Sequence, residues 1–170
     1  EEHGQQVWDL TNRIFDHLPL CAVIDGNVFC AHGGLSHAMH TIAEINASIP
    51  VDLGNPEHDC EPAWEMMWSD PLTPDQFRES VNLLQPSVVA NLRPGYIFNT
   101  RRGTSYFFND VALNEFLFVL YTCAHFPQLT LLFSLSSRTE NQLMRIIRAH
   151  EVPKFGFMFH FDQLCTTVWH

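Results

Sequence analysis

Two histidines and one arginine stand where the sequence could build a metal and phosphate site. His32 follows the apolar run 28–31 and precedes two glycines, His150 follows the apolar run 144–147, and Arg102 lies beside a glycine. Imidazole ligates transition metals, and a guanidinium binds phosphate oxygens in a bidentate manner. Neighbouring glycines let a ligand approach the backbone closely. A single histidine in such a place is more often structural than a ligand, so these residues alone leave both interpretations open.

The composition indicates a folded domain with an acidic surface. The 170 residues are 46% apolar, 12% aromatic and 16% charged, with a net charge of −10, so the chain can bury a core. The scarcity of cations argues against nucleic acid as a partner and against adhesion to anionic membranes. Five scattered cysteines predict free thiols, and no signal segment is evident, which together predict a cytoplasmic or also nuclear location.

The N-terminal half of the chain alternates helical and extended patterns. Apolar residues at helical spacing predict a helix over residues 4–18. Two short apolar runs around the Asp-Gly turn at 25–26 predict a hairpin that ends directly before His32. Residues 37–47 are predicted to be helical. Residues 51–62, rich in Pro, Gly, Asn and acidic side chains, are predicted to form a loop.

Capping motifs predict further helices in the C-terminal half. A Thr-Pro-x-Gln motif at 73–76 begins one helix, which should end before Pro86, and Asp110 caps a second helix over 110–117. A Ser-x-x-Glu capping box at 137–140 predicts a third helix, which leads into a strand over 144–147.

The last residues predict a closing hairpin. Residues 155–161 alternate, with four phenylalanines on one face that we expect to pack in the core, and residues 164–169 return as the partner strand.

Residues 116–135 are free of formal charge and about as long as a membrane span. The polar residues at their centre instead favour a buried helix and strand. Because helices and strands are intermixed, the predicted fold class is mixed α/β or α+β.

Four motifs follow one another along the chain. They are the block 18–36 ending in His-Gly-Gly-Leu-Ser, Trp-Ser-Asp-Pro at 68–71, Arg-Gly at 102–103 with Tyr-Phe-Phe at 106–108, and Ile-Arg-Ala-His-Glu at 147–151. Their order resembles the phosphoprotein phosphatase family of Ser/Thr phosphatases, which are calcineurin-like metallophosphoesterases. The resemblance covers most of the chain and extends into Phe-Gly-Phe at 155–157 and the hairpin.

This resemblance implies a dinuclear metal centre between two β-sheets flanked by helices. Two divalent ions (Mn, Fe or Zn) activate a hydroxide that attacks the phosphorus of phosphoserine or phosphothreonine. By position, His32 and His150 would ligate the same ion and Arg102 would hold the substrate phosphate. Trp68 and Asp70 would shape the pocket wall and support the site. The implied partners are phosphoprotein substrates and regulatory subunits.

Three motifs that carry most of the family's chemistry are absent from the chain: Gly-Asp-x-His-Gly, Gly-Asp-x-x-Asp-Arg-Gly and Gly-Asn-His-Glu. They supply the remaining metal ligands and the general-acid histidine, so no catalytic general acid is expected on this chain. Residues 1–170 are therefore expected to form a single partial domain, the C-terminal part of a phosphatase catalytic domain. Two histidines hold a metal weakly, and we expect this chain alone to be inactive.

Residues 118–136 depart from the family pattern as an atypical apolar insert. The chain also stops at His170, before the Ser-Ala-Pro-Asn-Tyr that follows in the family, and the stretch between Asp70 and Arg102 is longer than usual. Translated non-coding sequence and a true lineage-specific insertion both explain the insert and the early stop. Both explanations stay open.

Two functions from different classes follow. The first is part of a metal-dependent Ser/Thr phosphatase. The second is a catalytically dead binding or scaffold module that uses Arg102. A chain that never folds is a third outcome, because a partial domain exposes apolar faces and sheet edges. The presence of His32, Arg102 and His150 together favours the first, since a scaffold does not need all three.

Other polar residues have simpler expected roles. His37 and His40 are three positions apart and could chelate a metal from one helix face, although no third ligand is evident. The acidic residues of the cluster that ends at Glu65 are most simply explained as a solvated loop: Glu57, Asp59, Glu61 and Glu65.

Overall fold

The computed structural model describes residues 2–117, 141 and 143–169. The apolar insert 118–136 and the predicted capping-box helix at 137–140 lie outside these ranges. The helices within them are α1 (Glu2–Phe15), α2 (Ile42–Ser48), α3 (Pro56–Asp59), α4 (Glu61–Trp68), α5 (Pro74–Asn82), α6 (Pro86–Val89) and α7 (Asp110–Leu117). The strands are β1 (Cys21–Ile24), β2 (Val28–Ala31), β3 (Asp70–Pro71), β4 (Tyr96–Phe98), β5 (Tyr106–Phe108), β6 (Arg145–Arg148), β7 (Phe157–His160) and β8 (Cys165–Val168).

The described strands form a five-stranded and a three-stranded sheet. The larger has the order β1-β2-β6-β8-β7 and the smaller β3-β5-β4. The predicted hairpins β1–β2 and β7–β8 are antiparallel, whereas β6 lies parallel to both β2 and β8. Both sheets therefore mix parallel and antiparallel pairs, and the prediction of a mixed α/β fold is confirmed.

Local capping explains where two predicted helices begin. The Thr73 hydroxyl accepts from the Gln76 amide, and the Gln76 side chain accepts from the Thr73 amide, so α5 begins as predicted. The helix ends at Asn82, before Pro86. The helix predicted over 37–47 begins only at Ile42, because Thr41 and Glu44 form a capping box there. The four residues before Thr41 are not helical.

The predicted loop 51–62 is partly wrong. It contains α3 and runs into α4, which the sequence pattern did not reveal. The apolar face of α4 is interrupted by a carboxylate, because Glu65 is only 2% exposed and accepts a hydrogen bond from the Ser36 hydroxyl. A helix with a buried acid lacks the clean apolar stripe on which sequence recognition depends. Glu65 is therefore not part of a solvated loop.

The main core joins the two sheets. Phe29 and Ile146 of the larger sheet belong to the same buried cluster as Phe108 of the smaller sheet, and Leu113 of α7 packs with them. Full burial of such side chains stabilises a fold by about 1.5–3 kcal/mol each. This packing fixes β3 and β5 relative to the ends of β2 and β6.

The expectation that the phenylalanine stripe lies in the core is wrong for three of its four members. Phe155, Phe157 and Phe159 are 79%, 51% and 52% exposed, whereas Phe161 packs against the core. β7 is an edge strand of the larger sheet, and alternation does not reveal which face of a strand is covered.

Among the described residues, no helix is both long and apolar enough to cross a bilayer.

Candidate metal and phosphate site

His32 and His150 meet at one edge of the larger sheet. Ala31 and Arg148, the last residues of the parallel strands β2 and β6, stand opposite each other, so the chain leaves both strands at the same edge. The Ala149 amide donates to the His32 carbonyl at 3.0 Å. As a result, Nδ1 of His150 lies 3.0 Å from Nε2 of His32.

The backbone of His150 adopts an unusual conformation. Its φ of +66° lies in the left-handed region, which residues with a Cβ rarely occupy. Such a conformation costs about 1–3 kcal/mol and is concentrated at functional sites. The turn after β6 thus maintains strain at the position where the imidazole faces His32.

The turn that carries His32 is pressed against the end of α4. The amides of Gly33 and Gly34 both donate to the Met66 carbonyl, at 3.0 and 2.9 Å. A Cβ at Gly33 would lie 2.6 Å from the carbonyl carbon and oxygen of Met67. Only glycine fits between the turn and the helix, which explains why His-Gly-Gly occurs at this place.

Arg102 is held beside His150 by a buried carboxylate. Asp70 of β3 is 0% exposed and accepts from Nε of Arg102 at 3.0 Å and from Nδ2 of Asn99 at 2.9 Å. The Asn99 side-chain oxygen accepts from the Arg102 amide at 3.1 Å. Nη2 of Arg102 donates to the His150 carbonyl at 3.2 Å, so the guanidinium lies at the same edge as the two histidines.

Asp70 is ionised because of these partners. Burial by itself would raise its pKa, but hydrogen bonds from Arg102 and Asn99 and the charge of Arg148 outweigh that effect and lower the pKa below its ordinary value. A charged Asp70 is what holds Arg102 in place.

Sequence reasoning missed the part that Arg148, Glu151 and Asn99 play. Arg148 donates to Asp70 at 2.9 Å and to Glu151 at 2.6 Å, and Glu151 also accepts from Arg101 at 3.0 Å. One signal was available: Arg148 lies two residues after Ile146 in a strand, so both side chains share a face. Because that face is buried, Arg148 had to be buried among acceptors.

Trp68 packs beside His150. Its ring lies 5.2 Å from the His150 ring at 90° and 5.2 Å from the Trp64 ring. Trp64 is anchored in turn by its indole N–H, which donates to the Thr104 hydroxyl at 2.8 Å. These aromatic contacts restrict the orientation of the His150 imidazole.

Both imidazoles are neutral near pH 7. Partial burial and the charges of Arg148 and Arg102 lower the pKa of His32. Partial burial and the charge of Arg102 lower the pKa of His150 to about 4. Neutral imidazole is the form that ligates metals.

The donors of the two histidines suit a divalent metal ion. Two nitrogens that ligate one tetrahedral ion at about 2.1 Å lie roughly 3.4 Å apart. The facing nitrogens of His32 and His150 are 3.0 Å apart, the distance of a hydrogen bond between the rings, so a small outward movement of the two rings would admit an ion. Nε2 of His150 is also buried without a partner among the described residues. Within those residues, no group of three or more His, Cys, Asp or Glu side chains could hold a metal.

His37 and His40 lie apart from this site and serve other contacts. His37 stacks on Tyr106 with ring centroids 4.5 Å apart. Nδ1 of His40 lies 2.6 Å from Nη2 of Arg93 and 3.3 Å from the Glu115 carboxylate. Neither histidine is on a helix, so the helix-face arrangement expected for chelation is not present.

The structure therefore brings together all five residues that the sequence singled out. They are His32, Trp68, Asp70, Arg102 and His150.

Comparison with known proteins gives the same family as the motifs. The family model for calcineurin-like phosphoesterases matches residues 1–128. The chain is 32% identical over 167 residues to the PP2A-like serine/threonine-protein phosphatase PPG1 of Saccharomyces cerevisiae, in an alignment that covers 98% of this chain and 36% of that protein.

The fold comparison agrees. A solved structure of a protein serine/threonine phosphatase from Saccharomyces cerevisiae, with similarity to human phosphatase PP5, superimposes with a TM-score of 0.64 at 20% identity. It covers 97% of this chain and 38% of the other, so the chain spans less than two fifths of the length of either relative. The family model matches most of the chain, and the sequence identity extends over nearly all of it. The predicted family is thereby confirmed: the chain belongs to the calcineurin-like phosphoesterase family.

Proposed function

We propose that residues 1–170 form a single partial domain, the C-terminal part of the catalytic domain of a protein serine/threonine phosphatase. In this proposal His32 and His150 hold one of two divalent metal ions, which are Mn, Fe or Zn. Arg102 binds the substrate phosphate, and Trp68 and Asp70 support the site. The substrates are phosphoproteins, and regulatory subunits are the further class of partner.

The observation that carries the proposal is the juxtaposition of His32 and His150. Two imidazole nitrogens lie 3.0 Å apart, and Arg102 donates to the carbonyl of His150. Side chains that could ligate a metal and one that could bind phosphate thus lie together at the C-terminal ends of β2 and β6. A structural pair of histidines would not need an arginine directed to the same place.

The chain's own residues would bind and orient the substrate. The hydrogen bonds of Arg102 within the described residues come from its backbone amide, Nε and Nη2, so a phosphate oxygen would approach the remaining face of the guanidinium. Asp70 restrains that guanidinium through Nε, and Asn99 restrains Asp70 and the Arg102 amide. Bound divalent ions would generate a hydroxide nucleophile at neutral pH and offset phosphate charge.

The described residues do not complete the site, and the chain sequence contains none of the family's other ligand motifs. We therefore propose that the general acid and the ligands of the second ion come from outside this chain. Four described cysteines are free thiols, which supports the reducing cytoplasm, or also the nucleus, as the compartment.

The incomplete ligand set among the described residues also favours a second candidate. With two histidines alone, the chain would act as a phosphate-binding module through Arg102 without hydrolysis. The two candidates differ in whether metal ligands from elsewhere complete the site.

The native polypeptide that contains this sequence tests the proposal. Mass spectrometry would look for peptides with Gly-Asp-x-His-Gly and Gly-Asn-His-Glu upstream of Glu1, and the purified protein would be assayed on a phosphoserine peptide with Mn²⁺ and with EDTA. We expect both peptides, Mn²⁺-dependent hydrolysis, and loss of hydrolysis in H150Q but not in H58Q, since His58 is exposed and outside the site. Phosphopeptide binding that needs Arg102, without hydrolysis, would establish the binding module instead.

A further inference from the structure

Arg148 is a fully buried cation with an acceptor for every N–H. Its side chain is 0% exposed. Nε donates to the Gly33 carbonyl. Nη1 donates to Glu151 at 2.6 Å and to the Thr167 hydroxyl at 3.1 Å. Nη2 donates to the Ser69 carbonyl at 3.2 Å and to Asp70 at 2.9 Å.

These acceptors lie on four separate segments, and most adjoin a residue of the site. Gly33 follows His32 and Glu151 follows His150. Ser69 lies beside Trp68, and Asp70 holds Arg102. One guanidinium thus connects both histidine-bearing turns to the strand that orients the phosphate-binding arginine. Lysine, with three donors on a single atom, cannot make this set of contacts.

We propose that Arg148 is a positioning residue, which sets the spacing of the two histidine rings and the orientation of Arg102. The assignment rests on the proposed function for the roles of those three residues. Burial of a cation among carboxylates gives little net stability, because desolvation offsets the attraction. What Arg148 contributes is a defined arrangement of the two turns. The backbone hydrogen bond from the Ala149 amide to the His32 carbonyl restrains the turns at a single place.

The test compares R148M with R145M, a matched control in the same strand where the side chain is exposed. The first readout is taken without metal at pH 8, where both imidazoles are neutral. This readout is the NMR signal of the hydrogen bond between His150 and His32, and an amide spectrum of the same sample reports whether the variant is folded. The second readout is the affinity for Zn²⁺, and the third is the affinity for inorganic phosphate.

We expect a folded R148M that loses the signal between the imidazoles and binds Zn²⁺ about 10–100-fold more weakly, the usual effect of removing a residue that orients a ligand. Its phosphate affinity should fall as well. R145M should match the wild-type chain in all three. A folded R148M with an unchanged imidazole signal and unchanged affinities would overturn the proposal.

A second variant keeps the proposal testable if R148M does not fold. R148K retains the positive charge but lacks the five spread donors of the guanidinium, so we expect it to fold and still to lose the imidazole signal. A folded R148K with the signal intact would overturn the assignment. The signal recorded without metal also distinguishes a failure of the proposed metal role from a failure of the positioning role. If the wild-type chain shows the signal but binds no Zn²⁺, the proposed metal role fails while the positioning role of Arg148 is supported.

Discussion

Asp70 and Arg102 form an ion pair in which only one partner reaches solvent: Nε of Arg102 lies 3.0 Å from Oδ2 of Asp70, and the carboxylate is 0% exposed while the arginine is 27% exposed. Arg148 contacts the same carboxylate from the interior. One buried acid therefore compensates a cation inside the core and orients another at the surface. Asn99 and the two arginines together satisfy both carboxylate oxygens.

The D70N substitution should strongly destabilise the chain. It removes one of the two carboxylates that pair with the buried Arg148, Glu151 being the other, and breaking a buried ion pair from one side costs about 3–5 kcal/mol. The free energy of unfolding in urea measures the effect. D75N is the control, because Asp75 pairs with Arg78 at the surface and such pairs contribute at most about 1 kcal/mol. Equal losses in the two variants would contradict the account.

Acid should weaken the fold through the same carboxylate. The folded-state pKa of Asp70 is lowered, so its stabilising contribution is present above the unfolded pKa of about 3.9 and is lost as the pH falls through the folded value. The difference in unfolding free energy between wild type and D70N should therefore shrink below about pH 4. A difference that stays constant from pH 6 to pH 2.5 would show that Asp70 does not titrate as described.

G33A should disrupt the turn that carries His32. The new Cβ would lie 2.6 Å from the Met67 carbonyl group, and such overpacking against backbone costs about 1–3 kcal/mol. G4A is the matched control, because a Cβ at Gly4 meets no atom within 4 Å in α1 and alanine is the better helix former by about 1 kcal/mol. Thermal unfolding should rank G4A above wild type and G33A below it. A G33A variant as stable as wild type would refute the close approach.

The chain by itself should not hydrolyse phosphoserine peptides. It contains two predicted metal ligands and none of the motifs that supply the general acid and the other ligands. Phosphate release in the presence of Mn²⁺ should equal that of the H150Q variant. A rate that depends on His150 would show that the chain forms a complete site.

Local signals in the sequence predicted what local physics determines. The cap at Thr73 fixes the start of α5, and the Asp-Gly turn fixes the β1–β2 hairpin. The candidate site residues could be predicted because the motifs around His32 and His150 are themselves local. Their pairing depends on the parallel contact of β2 with β6, which joins residues more than a hundred positions apart.

What the sequence did not predict depends on long-range burial. The sequence pattern did not reveal α4 because the buried Glu65 interrupts its apolar stripe, and the groups that contact this carboxylate, among them the Ser36 hydroxyl and the Ala38 amide, are far away in sequence. Phe157 and Phe159 alternate as a core strand would, yet β7 is an edge strand and their face is exposed. In both cases the pattern gives the spacing of side chains but not what covers them.

A Zn²⁺ titration of this chain, followed through its imidazole nitrogen resonances, tests most directly whether His32 and His150 bind one metal ion. We expect the resonances of these two histidines to shift together and to saturate at one ion per chain. We expect H32Q and H150Q each to abolish the response, while H58Q retains it. Zn²⁺ that shifts only other histidines, or that binds H150Q as tightly as wild type, would show that His32 and His150 are not ligands of one metal ion.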